Sequence, residues 1–271
     1  MFSVTQRIKA IKQPRLGYLP VKNFEVEKYD DEFKVNELDK SQTSIQGMVV
    51  DYLTRFMINN SKEKSFEISL KGAKLVNQQD KAYELLEQIK GLDDYSIIAA
   101  CKIVGYDVAY RRGPFFFNTV DNINPDKNLI ENIKVLVNRS IKFINKKGPV
   151  VLDGFTFEGG LNNIISSGDG DYLTNDTLWD FKVSKYKPKP EHTLQILIYY
   201  ILGIHSICNQ FKSIKKLGIY NPILNESYVI ALDKIDNQIF YDVSKDVIGY
   251  KMPDNIADWK NGNGTSDILK K

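Results

Sequence analysis

The chain has 271 residues, 42% of them hydrophobic and 26% charged, which is enough apolar material for one large core or two small ones and is too apolar for the chain as a whole to be a disordered tail. Its 37 basic and 34 acidic side chains leave a net charge of +3, so no global field points to nucleic acid or to a membrane. Two cysteines, Cys101 and Cys208, are too few for a four-thiolate cluster and read as reduced core residues, the usage expected of a cytoplasmic protein.

The opening residues, MFSVTQRIKAIKQP, lack an apolar run followed by a small-residue cleavage site, so no secretory leader is expected. Pro14, Gly17 and Pro20 among the first forty residues predict an N-terminal segment with little regular structure. Ile45, Met48, Val49, Tyr52, Leu53, Phe56 and Met57 recur at helical spacing and predict a helix over 44–58. Further helices are expected over 80–90, closed by Gly91, and over 93–104, closed by Gly105. The aromatic, glycine- and proline-rich stretch GYDVAYRRGPFFFN that follows reads as loop or short strand. Leu129, Ile133, Leu136, Val137, Ser140 and Ile144 mark another helix.

After Gly148 the pattern changes to short β-branched and aromatic runs. Strands are expected over 150–157, 164–173, 177–184, 217–220 and 228–232, with a helix over 191–208 and a short one over 243–250. The apolar run 194–208 contains Gln195, Tyr199, Gly203 and His205 and is too short to cross a bilayer, so a soluble, intracellular protein is expected. Three regions follow: a mostly helical one over 1–148 packed on the core, an α/β core over 149–250, and a polar, frayed tail over 251–271.

Chemistry concentrates in SSGDGDYLTNDTLWDFKVSKYKPKP, residues 166–190. Asn175-Asp176 suits a two-residue hairpin loop, because both residue types tolerate positive φ. That loop places Thr174 opposite Thr177, Leu173 opposite Leu178, Tyr172 opposite Trp179, and Asp171 opposite Asp180. Two facing carboxylates destabilise a sheet by up to about 1 kcal/mol unless a cation sits between them, and hard oxygen ligands suit Mg²⁺. Strand alternation adds Lys182 to the face of Asp180 and turns Trp179, Phe181 and Val183 to the other. Such a set can hold a metal that activates water while the ammonium serves a phosphoryl transition state. The same charges also suit an ordinary exposed hairpin. Asp169 is either a second carboxylate ligand or the cross-strand partner of Lys182, and a bulge at Gly168 or Gly170 would change the register. Gln195 and Tyr199, four apart on one face of an apolar helix, need partners that either a site or the core supplies.

These residues resemble the PD-(D/E)XK nuclease superfamily: Asp171 and, nine positions on, Asp180-Phe181-Lys182, with Gln195 and Tyr199 matching the Q-xxx-Y helix of RecB-like and lambda-exonuclease-like members. The likeness covers about residues 149–232. It implies a restriction-endonuclease-like mixed sheet flanked by helices, dependence on Mg²⁺ or Mn²⁺, and hydrolysis of phosphodiester bonds in DNA, in phage defence, mobile-element biology or repair. An RNA-directed nuclease and a catalytically silent binding or interaction module of the same fold stand as alternatives.

RecB-like members carry a metal-proximal histidine four residues after a glycine; here Gly47 is followed by Asp51, which is either an acid in that role or a surface residue. The cysteine count excludes the iron–sulfur branch. Ser184 and Lys185 extend the expected catalytic strand toward substrate phosphate. Lys187 and Lys189, then Lys212, Lys215 and Lys216, add local positive charge that the total conceals. Glu158 reads as a turn residue or a further acid; His192 and His205 read as a helix-start and a core or surface histidine.

Overall fold

The β-branched and aromatic runs build a mixed sheet that positions every carboxylate of the expected hairpin. The computed structural model describes residues 1–253 and has mixed α/β architecture with helices flanking the sheet. Its strands are β1 (Phe2–Ser3), β2 (Glu25–Lys28), β3 (Leu152–Thr156), β4 (Ile165–Ser167), β5 (Asp169–Leu173), β6 (Thr177–Phe181), β7 (Lys216–Asn221) and β8 (Glu226–Ala231). Six form one sheet in the order β2-β8-β7-β6-β5-β3, while β1 and β4 pair in parallel beside it. The pair β6 and β7 is parallel and the other neighbours are antiparallel, so β6 reaches β7 through a crossover that contains the Pro190–Ile204 helix.

The chain divides into two compact units. Met1–Tyr29, Lys147–Lys182 and the residues from Tyr186 onward make the sheet unit; Asp30–Lys146 and Val183–Lys185 make the helical unit. In the sheet unit, Leu173, Leu178, Leu217 and Ile219 pack in one core with Leu194, Leu197, Ile198 and Ile201 of the crossover helix. Each such side chain contributes roughly 1.5–3 kcal/mol by burial. On the opposite face, Trp179 lies against Gly218, where a Cβ would come within 2.3 Å of the indole. Tyr172, Phe181 and Tyr220 form an aromatic row there, with successive ring centroids 4.7 and 5.1 Å apart.

In the helical unit, the 44–58 pattern becomes the Lys40–Asn59 helix, capped by the Asp39 carboxylate, which accepts the Gln42 N–H at 2.9 Å. The Lys127–Lys147 helix buries Ile133, Leu136, Val137 and Phe143, and its Arg139 guanidinium donates to both Asp31 oxygens at 2.6 and 2.7 Å. Among the described residues, no helix is long and apolar enough to cross a membrane.

Several expectations need correction. The first forty residues carry more regular structure than expected: Ser3 and Gln6 close a capping box on a Val4–Ala10 helix, and β2 forms an edge of the main sheet, while 29–39 are irregular. Gly91 lies beyond a helix that ends at Gln88 and hands over to extended Ile89. Gly105 caps nothing, because the chain passes from the Asp94–Ile103 helix through a 3-10 turn into the Asp107–Arg112 helix. The stretch read as loop or strand is therefore a series of short helical turns. The 164–173 run splits into β4 and β5, and β6 stops at Phe181. Most of the polar tail, from residue 254 on, lies outside the described residues.

Candidate functional site

The hairpin register is the one its loop dictates: Tyr172 pairs with Trp179 and Leu173 with Leu178, closed by the Thr174 N–H to the Thr177 carbonyl at 3.0 Å. The paired ladder ends there. Beyond it β5 keeps its register with β3, through Phe155 opposite Gly170 and Thr156 opposite Asp169. Strand β6 keeps its own with β7, through Asp180 beside Ile219 and Phe181 beside Tyr220. The two strands are drawn toward different neighbours and part at Asp171 and Asp180, so the predicted pairing of these acids, and of Asp169 with Lys182, is not part of the ladder.

Asp171 spans the opening. Its Oδ2 accepts the Phe181 backbone N–H at 2.7 Å, taking a donor that a continued ladder would have given to the β5 backbone. Asp180 follows Leu178 on the helix-covered face, and its side chain is 2% exposed. Lys182 is one residue past the strand end, tied to β7 by its N–H to the Tyr220 carbonyl at 2.8 Å. Its ammonium lies 2.7 Å from one Asp180 oxygen and 3.0 Å from the other, so alternation has brought the two onto one face as expected.

The crossover helix covers this end of the sheet. Gln195 and Tyr199 are both buried, and the Gln195 amide donates to the Tyr199 hydroxyl at 2.8 Å. Burial, and after it the Asp180 carboxylate, push the Tyr199 phenol well above its ordinary range; Asp171 and Asp169 push the same way and the Gln195 bond opposes them. The phenol is neutral at physiological pH and lies within the field of three carboxylates.

His192 belongs to the same neighbourhood, although its place in the sequence suggests only a helix start. Its Nδ1 accepts the Lys189 N–H at 3.2 Å, a capping role that leaves the neutral ring's hydrogen on Nε2. Burial, then the nearby Lys182 charge, push its pKa down to about 4. The usable signal was spacing: positions 192, 195 and 199 fall on one helical face.

Asp51, Ser184 and Lys185 fall in the helical unit. Asp51 is held by Arg55, whose Nε and Nη2 donate to its two oxygens at 2.9 and 2.8 Å, an i,i+4 pair. Ser184 and Lys185 lie beyond the end of β6 and do not extend it. Among the described residues, no three His, Cys, Asp or Glu side chains are gathered closely enough to hold a metal ion. Asp171 is committed through Oδ2 to a backbone donor and Asp180 is held by an ammonium.

No family model, curated protein or solved structure matches this chain.

Proposed function

We propose that the chain is a metal-dependent nuclease of the PD-(D/E)XK type that hydrolyses phosphodiester bonds in DNA, working in the cytoplasm. The observation that carries the reading is the parting of β5 and β6, which sets Asp171 beside a buried Asp180–Lys182 pair under the Gln195–Tyr199 face of a helix. Carboxylate oxygens on adjacent strands are the donor chemistry that Mg²⁺ or Mn²⁺ takes. Asp171 and Asp180 would hold the ion, which supplies a water of lowered pKa and neutralises charge on phosphate.

The chain's own groups have separate tasks. Lys182, now turned onto Asp180, can swing its ammonium toward a phosphate oxygen or the attacking water. Tyr199 keeps its proton, and Gln195 fixes the phenol's orientation. Lys185, Lys187 and Lys189 are exposed in the segment after β6, half-buried Ser184 precedes them, and these groups would offer contacts to substrate phosphates. Free Cys101 is buried, which pushes its thiol up to about 12 and fits a reduced, unreactive residue.

The test is cleavage of single-stranded DNA, duplex DNA and RNA with Mg²⁺ or Mn²⁺, comparing the wild type with Asp180→Asn and Lys182→Ala. Each substitution is expected to lower the rate by at least about 100-fold. Wild type and variants equally inactive on every substrate and metal would overturn the enzyme reading. Nucleic-acid binding without cleavage would leave the silent module of the same fold, a reading favoured by the way Lys182 closes on Asp180.

A further inference from the structure

The helical unit carries a group of side chains that the proposed active site does not use. Tyr110 is 47% exposed, Phe115 93% and Phe116 50%, within six residues of Arg111 and Arg112. A single exposed aromatic is ordinary, but a nearly bare phenylalanine on a well-anchored turn between charged neighbours is not.

The turn is built to hold that ring out. Gly113 takes φ 105°, a conformation suited to glycine, and Pro114 starts a 3-10 turn with its fixed φ. The Phe116 N–H donates to the Gly113 carbonyl and the Phe117 N–H to the Pro114 carbonyl, each at 3.1 Å. Phe117 stacks on the buried Tyr106 at 5.3 Å with ring planes 11° apart, which anchors the far side. On the near side, the Asp107–Arg112 helix is fixed by Asp107, which accepts the Tyr52 and Ser69 hydroxyls at 2.5 and 2.6 Å. The backbone that carries Phe115 is thus held on both sides, and little backbone freedom remains to be lost on binding.

Charge decides what the ring meets. Arg112 lies over the Phe116 ring at 4.6 Å, and Lys71 lies 6.0 Å from the Tyr110 centroid. Arg111 is half exposed and leans on buried Asp107 at 3.5 Å, while exposed Glu67 offsets Lys71 at 2.7 Å. The patch is therefore aromatic with cations against its rings, the combination that takes an unpaired base on a π face and the adjoining phosphate on a guanidinium. A duplex keeps its base faces covered, so the complementary ligand is a single strand.

We propose that Tyr110, Arg112, Phe115 and Phe116 form a stacking platform for single-stranded nucleic acid, with Phe115 the base-contacting ring and Arg112 the phosphate contact. The proposal deepens the nuclease reading by naming the form of its substrate, and it rests on that reading for its biological sense. Binding without cleavage tests it separately.

The experiment is fluorescence anisotropy of the full chain with a labelled oligothymidine strand in EDTA, beside an abasic strand of equal length, a duplex and anionic phosphatidylserine vesicles. Phe115→Ala is expected to weaken oligothymidine binding by about 5–150-fold, the span of one lost base–aromatic stack. Phe115→Trp should retain binding and Phe115→Leu should behave as Phe115→Ala. Arg112→Ala should reduce the slope of log affinity on log salt by about 0.7 for one lost phosphate contact. Circular dichroism of each variant should match the wild type, since the mutated ring is outside the core. Equal binding by wild type and Phe115→Ala, full retention by Phe115→Leu, or loss confined to vesicle binding would each overturn the platform. A platform that binds in a chain that never cleaves would sink only the nuclease reading, and cleavage unaffected by Phe115→Ala with unchanged binding would sink only the platform.

Discussion

Asp180 and Lys182 share one ion pair but live in different surroundings: the acid's side chain is 2% exposed and the lysine's 22%. Removing either partner is therefore not equivalent. Lys182→Ala takes a cation from a carboxylate that has almost no access to water, and its cost should approach the ~3–5 kcal/mol of a broken buried ion pair. Asp180→Asn keeps a hydrogen-bonding side chain of the same shape and lets the ammonium turn to solvent, so its cost should stay near ~1 kcal/mol. Urea unfolding at neutral pH measures both, and equal costs would mean that water reaches Asp180 freely. If the site is catalytic, the two variants share the loss of cleavage and differ in stability. Strand alternation made this pair legible from the sequence. His192 was not legible, because a polar residue in a first helical turn has a sufficient local reason to be there, and only the fold brings the Lys182 charge beside it.

At the scale of the strands, the site depends on where β6 sits between its neighbours, and Gly218 controls one of those contacts. Trp179 occupies the space a side chain at Gly218 would need, and the Trp179 indole N–H also donates to the Thr174 hydroxyl at 3.3 Å beside the hairpin loop. Gly218→Val should displace the indole, cost about 1–3 kcal/mol as overpacking, and lower any cleavage activity although no residue of the site has changed. Thermal unfolding and the DNA cleavage assay read the two effects; a variant as stable as wild type would show that the sheet absorbs the added volume. The hairpin itself was readable, since a two-residue Asn-Asp loop fixes the register from Thr174 to Trp179. The parting at Asp171 was not, because extending a hairpin register assumes that no third strand competes, and here β3 and β7 each claim one side. Local signals failed in the same way elsewhere: Gly105 has the composition of a helix stop, yet Tyr106 and Val104, both buried, carry the chain on into another helix. The Val4–Ala10 helix has its capping box in plain view at Ser3 and Gln6, and Pro14 and Pro20 lie beyond its end and do not interrupt it.

Across the whole molecule, the groups with displaced pKa values act in opposite directions as pH falls, and they lie in different units. His192 titrates at about 4 in the folded chain against 6.5 when exposed, so the unfolded chain binds the extra proton between these values. Its contribution is complete above pH 6.5 and is lost as pH falls toward 4. Asp31, lowered chiefly by its hydrogen bonds from Arg139, and Asp176, lowered chiefly by the Thr177 hydroxyl, contribute above the ordinary 3.8 and lose that contribution as pH falls through their depressed values. Asp107 runs the other way. Burial raises its pKa, so folding is favoured below 3.8 and that support is lost as pH rises through the folded value. Hydrogen exchange followed by peptide from pH 7 down to about 2.5 separates these terms, because it reports the stability of each region. His192→Gln, which keeps a capping side chain at the third helical position, should flatten the decline between pH 6.5 and 4, most clearly in peptides of the sheet unit. Asp107→Asn should steepen the decline with falling pH in peptides of the helical unit, since it removes a group that gains as acid is added. A profile unchanged by His192→Gln would place the imidazole in solvent, away from the Lys182 charge, and would remove it from the surroundings of the candidate site.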